Sequence, residues 1–390
     1  MIPTFLYNQH ELRMLDIGPN SMKGRFPNWL LENNTKLDFL NLSNNHLIAS
    51  LGDMRQLNNL DLSHNNLFGH IPQEFGKDLR YLYLQNNKFS GPIPTFLTNS
   101  SFLLTMNLVD NKFSGQIPWW ISSLLNLRIL LLKKNKLDGL IPIDVCQLKN
   151  ISIMDLSQNN FSRSIPPCLN NISFGRLDSL AAKVLGKFVV PWVTRSTEYV
   201  FWYETYKGNI LDLMSGLDLS SNKLTGQIPS QMGYLNSIHT LNLSNNHLTG
   251  PMPETFSSLK QIESLDLSCN RLSGHIPSQL TDLYHLSVFS VAHNDFSGRT
   301  LERVNQFATF EASSYEGNTL LCGPPLNRSC SSVVKQPAPG IGTSPLGKNE
   351  FRDTFVYSFP PPFCVAFVSV IAFRYFNSYF KVPYKNKFCV

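Results

Sequence analysis

SIHTLNLSNNHLTGPMPETFSSLKQIESLDLSCNRLSGHIP, residues 237–277, states one pattern twice. Leu241, Leu243, Asn246, Gly250 and Pro253 return 24 residues later as Leu265, Leu267, Asn270, Gly274 and Pro277. Working outward, L-x-x-L-x-L-x-x-N followed by x-x-x-G-x-I-P places its Asn at Asn20, Asn45, Asn65, Asn87, Asn111, Asn135, Asn159, Asn222, Asn246, Asn270 and Asn294. The gaps are 25, 20, 22, 24, 24, 24, 63, 24, 24 and 24 residues, a register too constant for chance. A fixed period in the twenties is the signature of a solenoid, in which each unit is one coil. Asn reaches 38 residues, a share that itself points to a repeat.

Each position has a physical reason. In L-x-L the two leucines point to one side of a short strand, because side chains alternate with period 2. The Asn stands where the chain turns away, and its amide both donates and accepts, so stacked Asn residues satisfy backbone groups that a tight bend leaves orphaned. Gly then permits the turn and Pro fixes φ on the return side. One coil cannot bury its own apolar face, so stability comes from stacking neighbours.

Two irregularities stand out. The unit LDFLNLSNNHLIASLGDMRQL lacks G-x-I-P and is the 20-residue gap, which predicts a shorter return side. The 63-residue gap equals one repeat plus 39 extra residues, and the insert at 170–212 is rich in aromatics, among them Trp192, Trp202 and Tyr203. Insertions in such arrays project from one face and often serve binding.

The 15% charged residues exclude a disordered polyelectrolyte, and a net charge of +6 over 390 residues is thin for a nucleic-acid binder. There is no G-x-x-x-x-G-K, G-x-G-x-x-G, H-E-x-x-H or G-x-S-x-G, and no kinase landmark, so the chain is not expected to be an enzyme or to carry a cofactor. No C-x-x-C pair occurs and the nine His are scattered, which leaves a metal site without support. The start, MIPTFLYNQHELRMLDIG, lacks a basic n-region, an apolar h-region and a cleavage site. It opens inside a repeating unit, from which we expect a C-terminal portion of a longer ancestor.

The pattern L-x-x-L-x-L-x-x-N-x-L-x-G-x-I-P resembles the plant-specific extracellular leucine-rich repeat, and the layout resembles plant receptor-like proteins, cell-surface receptors without a kinase domain. FPNWLLENNTKLDFLNLSNN (26–45) is similar to that family's repeats before its island, YKGNILDLMSGLDLSSNKLTGQIP (206–229) to the junction where the island rejoins the solenoid, and FATFEASSYEGNTLLCGPPLNRSC (307–330) to its C-terminal cap. The resemblance implies an α/β-type horseshoe with parallel strands on the concave face, turns and short 3-10 segments on the convex face, and a C-terminal transmembrane helix. It divides the chain into repeats at 1–169 (about seven units), an island at 170–212, repeats at 213–298 (about four units), a cap at 299–331, a linker at 332–354, a span at 355–380 and a basic tail at 381–390. It also implies recognition of an extracellular peptide, protein or glycan, signalling through separate membrane kinases as co-receptor and adaptor, in defence or development, and a disulfide between Cys322 and Cys330 sealing the core, as in the family's cap. The family's signal peptide and Cys-containing N-terminal cap are missing here.

Cys146 and Cys168 occupy adjacent coils, where they either bridge or stay free thiols. Eight N-x-S/T sequons stand at Asn33, Asn41, Asn99, Asn150, Asn160, Asn171, Asn242 and Asn327, against roughly six from random placement, so they are compatible with glycosylation without arguing for secretion. FVYSFPPPFCVAFVSVIAF is uncharged, and a helix starting at its prolines spans a bilayer if Arg374 snorkels. Lys381, Lys385 and Lys387 follow, placing the C-terminus in the cytoplasm of a single-pass type I protein at the plasma membrane.

Most positions on the concave face follow a generic D/N-and-S pattern that reads as a solvated ladder, for example Asp155 and Ser157. The units around Asn87, Asn111 and Asn135 depart from it with Tyr81, Tyr83, Gln85, Val109, Leu131, Lys133 and Lys134, the aromatic and basic types that make hot spots. With the island, this is the expected ligand side. Two other readings are a secreted module similar to plant polygalacturonase-inhibiting proteins, which requires that 355–380 not span, and a truncated paralogue without a signalling role.

Overall fold

The computed structural model describes residues 2–330 except 53, 55–56, 73–75 and 176–214. The island residues Trp192, Trp202 and Tyr203, the linker, the span at 355–380 and the tail lie outside the described residues. Among the described residues no helix is long and apolar enough to cross a membrane.

Each coil begins with a three-residue strand carrying L-x-L, such as Thr240–Asn242 or Ser264–Asp266. These strands form one parallel 11-stranded sheet that runs in chain order from Met14–Asp16 to Val288–Ser290. The register never slips: Leu217, Leu241, Leu265 and Phe289 stand opposite one another from coil to coil. The leucines of L-x-L are buried against the next coil, Leu241, Leu243, Leu265 and Leu267 completely.

The turn after each strand is held by the repeat Asn. The Asn246 side-chain oxygen accepts the Leu224 N–H at 3.0 Å, and its amide donates to the carbonyls of Leu219 in the preceding coil at 3.0 Å and of its own Leu243 and Ser244 at 3.1 and 3.2 Å. Asn45, Asn65, Asn87, Asn111, Asn135, Asn159, Asn270 and Asn294 each accept from and donate to the preceding coil in the same way. One group thus closes its own turn and clamps the coil before it. The residue just before that Asn is left-handed, with φ of 52° at Asn44 and 57° at Lys134, a conformation that favours short polar side chains.

A feature absent from the sequence reading is a second sheet. The stretch after the Asn is extended, as in His247–Pro251 and Arg271–Gly274, and joins a parallel 12-stranded sheet. Leu248 and Leu272 point inward from it and are completely buried. Gly250, at φ +80°, ends the inward run in its coil, whereas Arg163 holds the equivalent backbone at φ 69°. The I-P dipeptide then starts a 3-10 helix with Pro as its N-cap residue, as in Pro253 before Glu254–Ser258 and Pro277 before Ser278–Asp282. In the 20-residue unit no 3-10 helix stands among the described residues between the strands His46–Ala49 and Asn59–Asp61, and Met54 on the return side is buried.

The insert does not break the stack. Ile153, Met154 and Asp155 pair directly with Gly216, Leu217 and Asp218. Asn222 accepts the Phe161 N–H at 3.0 Å and donates to the Leu156 carbonyl at 3.1 Å, across 61 and 66 residues of chain. At the C-terminal end the ladder gains a step that the repeat pattern omits: Asn318 accepts from Phe296 N–H and donates to the Val291 carbonyl. Leu320–Cys322 adds the last strand, and Phe289, Phe307, Phe310 and Tyr315 close the core with ring centroids 5.1 to 5.8 Å apart. Disulfides join Cys146 to Cys168 across adjacent coils, with Cα atoms 5.7 Å apart, and Cys322 to Cys330 within the cap at 5.0 Å.

Replacing Asn246 by Ala orphans the Leu224 N–H and strips three carbonyls of a donor. We expect a loss of about 3 kcal/mol of unfolding free energy in urea titration. Asn246→Asp keeps the acceptor but loses the donors, and should cost at least as much.

Candidate ligand-facing surface

The seven described candidates fall on three consecutive strands of the 11-stranded sheet and the turns that follow. Tyr81, Thr105 and Ile129 stand opposite one another, as do Tyr83, Asn107 and Leu131. Tyr81 and Tyr83 belong to one strand and, two residues apart, share its face, their rings nearly parallel at 6.4 Å and 7°. Val109 and Leu131 are half-buried beside them. Gln85 is buried and its Oε1 has no partner, and Asn107 is buried with an unpartnered Nδ2. An acceptor and a donor are therefore left open on neighbouring coils, where buried polar groups ordinarily find partners.

The two lysines differ. Lys134 is exposed and its ammonium lies 2.7 Å from the Asp110 carboxylate, a surface pair of small energetic consequence. Lys133 is largely buried and sits 3.8 Å from Asp155. Asp155 stands opposite Asp218 in register, so two carboxyl groups face each other across one strand spacing, about 4.8 Å.

This acidic row is not the solvated ladder that its sequence pattern suggests. Asp155 and Asp218 are each 2% exposed. Their carboxylates accept the N–H of the serine two residues on, Ser157 at 3.0 Å and Ser220 at 2.8 Å, and Ser157 Oγ also donates to Asp155 at 2.6 Å. The D-L-S motif is thus a side-chain-capped turn, and Asn242 with Ser244 makes the same turn without charge. Burial pushes the Asp155 carboxyl up, opposed by Lys133 and Ser157. Burial, reinforced by Asp155, pushes Asp218 up to about 7, and hydrogen bonds from Ser220 work against it.

Two of the sequon residues take part in the same turn. Asn41 is 7% exposed and its side-chain oxygen accepts the Ser43 N–H. Asn242 is half-buried and its oxygen accepts from Ser244 N–H and Oγ. Asn33 is half-buried and donates to the Tyr7 carbonyl. Asn99, Asn150, Asn160, Asn171 and Asn327 are exposed.

Thr105, Asn107 and Ile129 were missed by sequence reading because Thr, Asn and Ile at these places look like ordinary repeat filler. Ser215 Oγ approaches His239 Nδ1 at 2.9 Å, but the same hydroxyl is 2.5 Å from the Ser237 carbonyl and donates there, so it is not poised as a nucleophile. Among the described residues no group of three His, Cys, Asp or Glu side chains is placed to hold a metal ion.

Similarity to known proteins fits this geometry. Leucine rich repeat families match residues 236–296 and, separately, 56–77, 78–100, 150–172 and 214–235. Receptor-like protein 45 of Arabidopsis thaliana is 46% identical over 99 residues, 24% of this chain and 10% of that protein. Cuscuta receptor 1 of Solanum lycopersicum is 68% identical over 146 residues, 37% of this chain and 13% of that protein. The matched stretches thus span only about a tenth of the length of these curated relatives. Among solved structures, the Arabidopsis receptor kinase HAESA in complex with the peptide hormone IDA and the co-receptor SERK1 superposes with a TM-score of 0.60 at 28% identity, covering 80% of this chain and 50% of that one.

The Asp218 carboxyl keeps its proton in the folded state up to about pH 7, while in the unfolded chain it ionises near its ordinary value of 3.8. Between those values the folded state binds more protons, so this group lowers stability as pH rises from about 4 to 7. Asp218→Asn, which preserves the Ser220 hydrogen bond as Asn242 does for Ser244, should raise the unfolding free energy at pH 8 by about 1–3 kcal/mol. It should also flatten the pH dependence of the urea midpoint between pH 5 and 8.

Proposed function

This chain belongs with the plant leucine-rich-repeat receptor-like proteins, and from that premise we propose that it is the ligand-recognising part of a cell-surface receptor. Its ligand is an extended peptide, or an exposed segment of a protein, lying across the strands around Tyr83. One observation carries this reading: where neighbouring coils keep the D/N-and-S turn, three consecutive coils carry Tyr81, Tyr83, Gln85 and Lys133, and leave Gln85 Oε1 and Asn107 Nδ2 unpartnered. The paired tyrosine rings offer rigid apolar area with little entropy to lose on binding.

HAESA, a relative in fold and sequence, is described with a peptide hormone and a co-receptor. Carried to this chain, that arrangement has the ligand bridge the solenoid to a membrane receptor kinase, since the sequence holds no kinase landmarks of its own. Residues 355–380 then serve as the single span in the bilayer, with the solenoid outside and the basic residues 381–390 in the cytoplasm. The role is in defence or development.

Topology tests the reading. The full chain, placed behind a secretory leader and tagged at its C-terminus, is expressed in plant cells and recovered in sealed microsomes. We expect glycosidase sensitivity, resistance to carbonate extraction, a protease-accessible tag and a protected repeat domain. A glycosylated protein that carbonate releases would instead make this a secreted binding module of the polygalacturonase-inhibitor kind. A protected tag would reverse the orientation and remove the kinase-recruiting role.

A further inference from the structure

From Asn45 to Asn294 the position immediately after the ladder Asn opens a strand of the 12-stranded sheet, and its side chain is exposed while the next one is buried. Lys88, Lys112 and Lys136 hold that position on three consecutive coils, each exposed, with Phe89, Phe113 and Leu137 buried behind them. After the uncharged Asn160 the row resumes with Lys223, His247 and Arg271, also exposed. Among the described residues none of these four lysines and the arginine forms a salt bridge; the ion pairs present are Lys36–Glu11, Lys133–Asp155 and Lys134–Asp110. The acidic side chain that projects from the three lysine strands is Asp138, and Asp110 beside them is neutralised by Lys134 at 2.7 Å. A chain of modest total charge thus carries a line of cations whose spacing the ladder fixes.

We infer that this row is a binding track for a linear polyuronate, an acidic polysaccharide with one carboxylate on every sugar. It lies on the other sheet from Tyr83 and does not depend on the peptide-binding reading. Three features select that ligand class. Coils stack at about 4.8 Å and the register of this sheet steps two residues per coil, Lys112 opposite Ser90 and Lys136 opposite Ser114, so the cations form a regular diagonal row with a constant step of about 8 Å, to which a polymer with evenly repeated anions is complementary. The lysine ammoniums are flexible point charges, suited to single carboxylates rather than to bidentate phosphate recognition. Ser90 stands opposite Lys112 and Ser114 opposite Lys136, so each of these two lysines has beside it a hydroxyl that suits a sugar hydroxyl. Binding a polyanion along such a row displaces its counterions, so affinity must fall as salt rises.

The test uses the full chain in non-ionic detergent and a defined-length oligogalacturonate as probe, without calcium. Its fully methyl-esterified counterpart, phosphatidylserine vesicles and a DNA duplex are run in parallel. We expect oligogalacturonate to bind with a steep salt dependence and the neutral ester not to bind. Lys88→Glu with Lys112→Glu and Lys136→Glu should weaken binding by roughly tenfold or more and flatten the salt dependence. Because all three sites are exposed, the urea midpoint should stay within error of the parent; should the triple variant misfold, Asp138→Asn answers in the other direction by tightening binding about twofold. Equal binding of the ester, an unchanged triple variant together with an unchanged Asp138→Asn, or binding of vesicles or DNA in preference to oligogalacturonate would each overturn the inference.

Discussion

A backbone that turns sharply once per coil has N–H and C=O groups at the bend with no strand to pair them, and burying them unpaired would cost more than the coil gains. The repeat Asn removes that cost with one side chain. Its oxygen takes an N–H from the coil before, and its NH2 serves carbonyls of both coils, as Asn246 does for Leu219, Leu243 and Ser244. The rest depends on that clamp. It sets the distance between coils, which aligns the L-x-L strands, buries the leucines and starts the second sheet at a fixed place. Even the coils on either side of the insert, and the cap, are joined through it, by Asn222 and Asn318.

A scaffold held this way separates stability from recognition. The inward positions are occupied by leucines that cannot vary in size without opening a void. The outward positions only cover the sheet, so they can change without touching the ladder. Tyr81, Tyr83 and Lys133 change one row, and Lys88, Lys112 and Lys136 make another on the opposite sheet. The acidic positions sit between these two cases. Asp155 and Asp218 serve a turn, yet stand so close that Asp218 resists ionising, a cost that Asn at the equivalent position avoids. Their retention beside Lys133 ties the charge of the candidate ligand surface to the packing beneath it.

The coil, its register and the strand at L-x-L were legible in the sequence because period and residue type agree at every unit. The second sheet was not, since N-x-L-x-G carries only one buried apolar residue between turn residues and reads as loop. Asn318 was legible and missed: it stands 24 residues after Asn294, but the cap replaces the leucines of the motif with Ser313 and Tyr315. On the candidate surface, Tyr81 and Tyr83 announced themselves by departing from the pattern. Asn107 could not, because Asn at that position is ordinary, and only its unpartnered amide marks it. The sequons at Asn41 and Asn242 carry a second reading, since N-L-S there is the neutral form of the D-L-S turn.

Native-state hydrogen exchange across the insert tests most directly whether the ladder makes one solenoid of the two repeat arrays. The amides of Leu156, Gln158 and Phe161 donate to the Asp218 carbonyl, the Ser220 carbonyl and Asn222 Oδ1, over the insert. Leu243, Asn245 and Leu248 make the matching bonds between neighbouring units. A continuous ladder predicts equal protection in the two sets, lost together in denaturant in one cooperative opening. Exchange at Leu156, Gln158 and Phe161 as fast as at exposed amides, with Leu243, Asn245 and Leu248 still protected, would contradict it and divide the molecule in two.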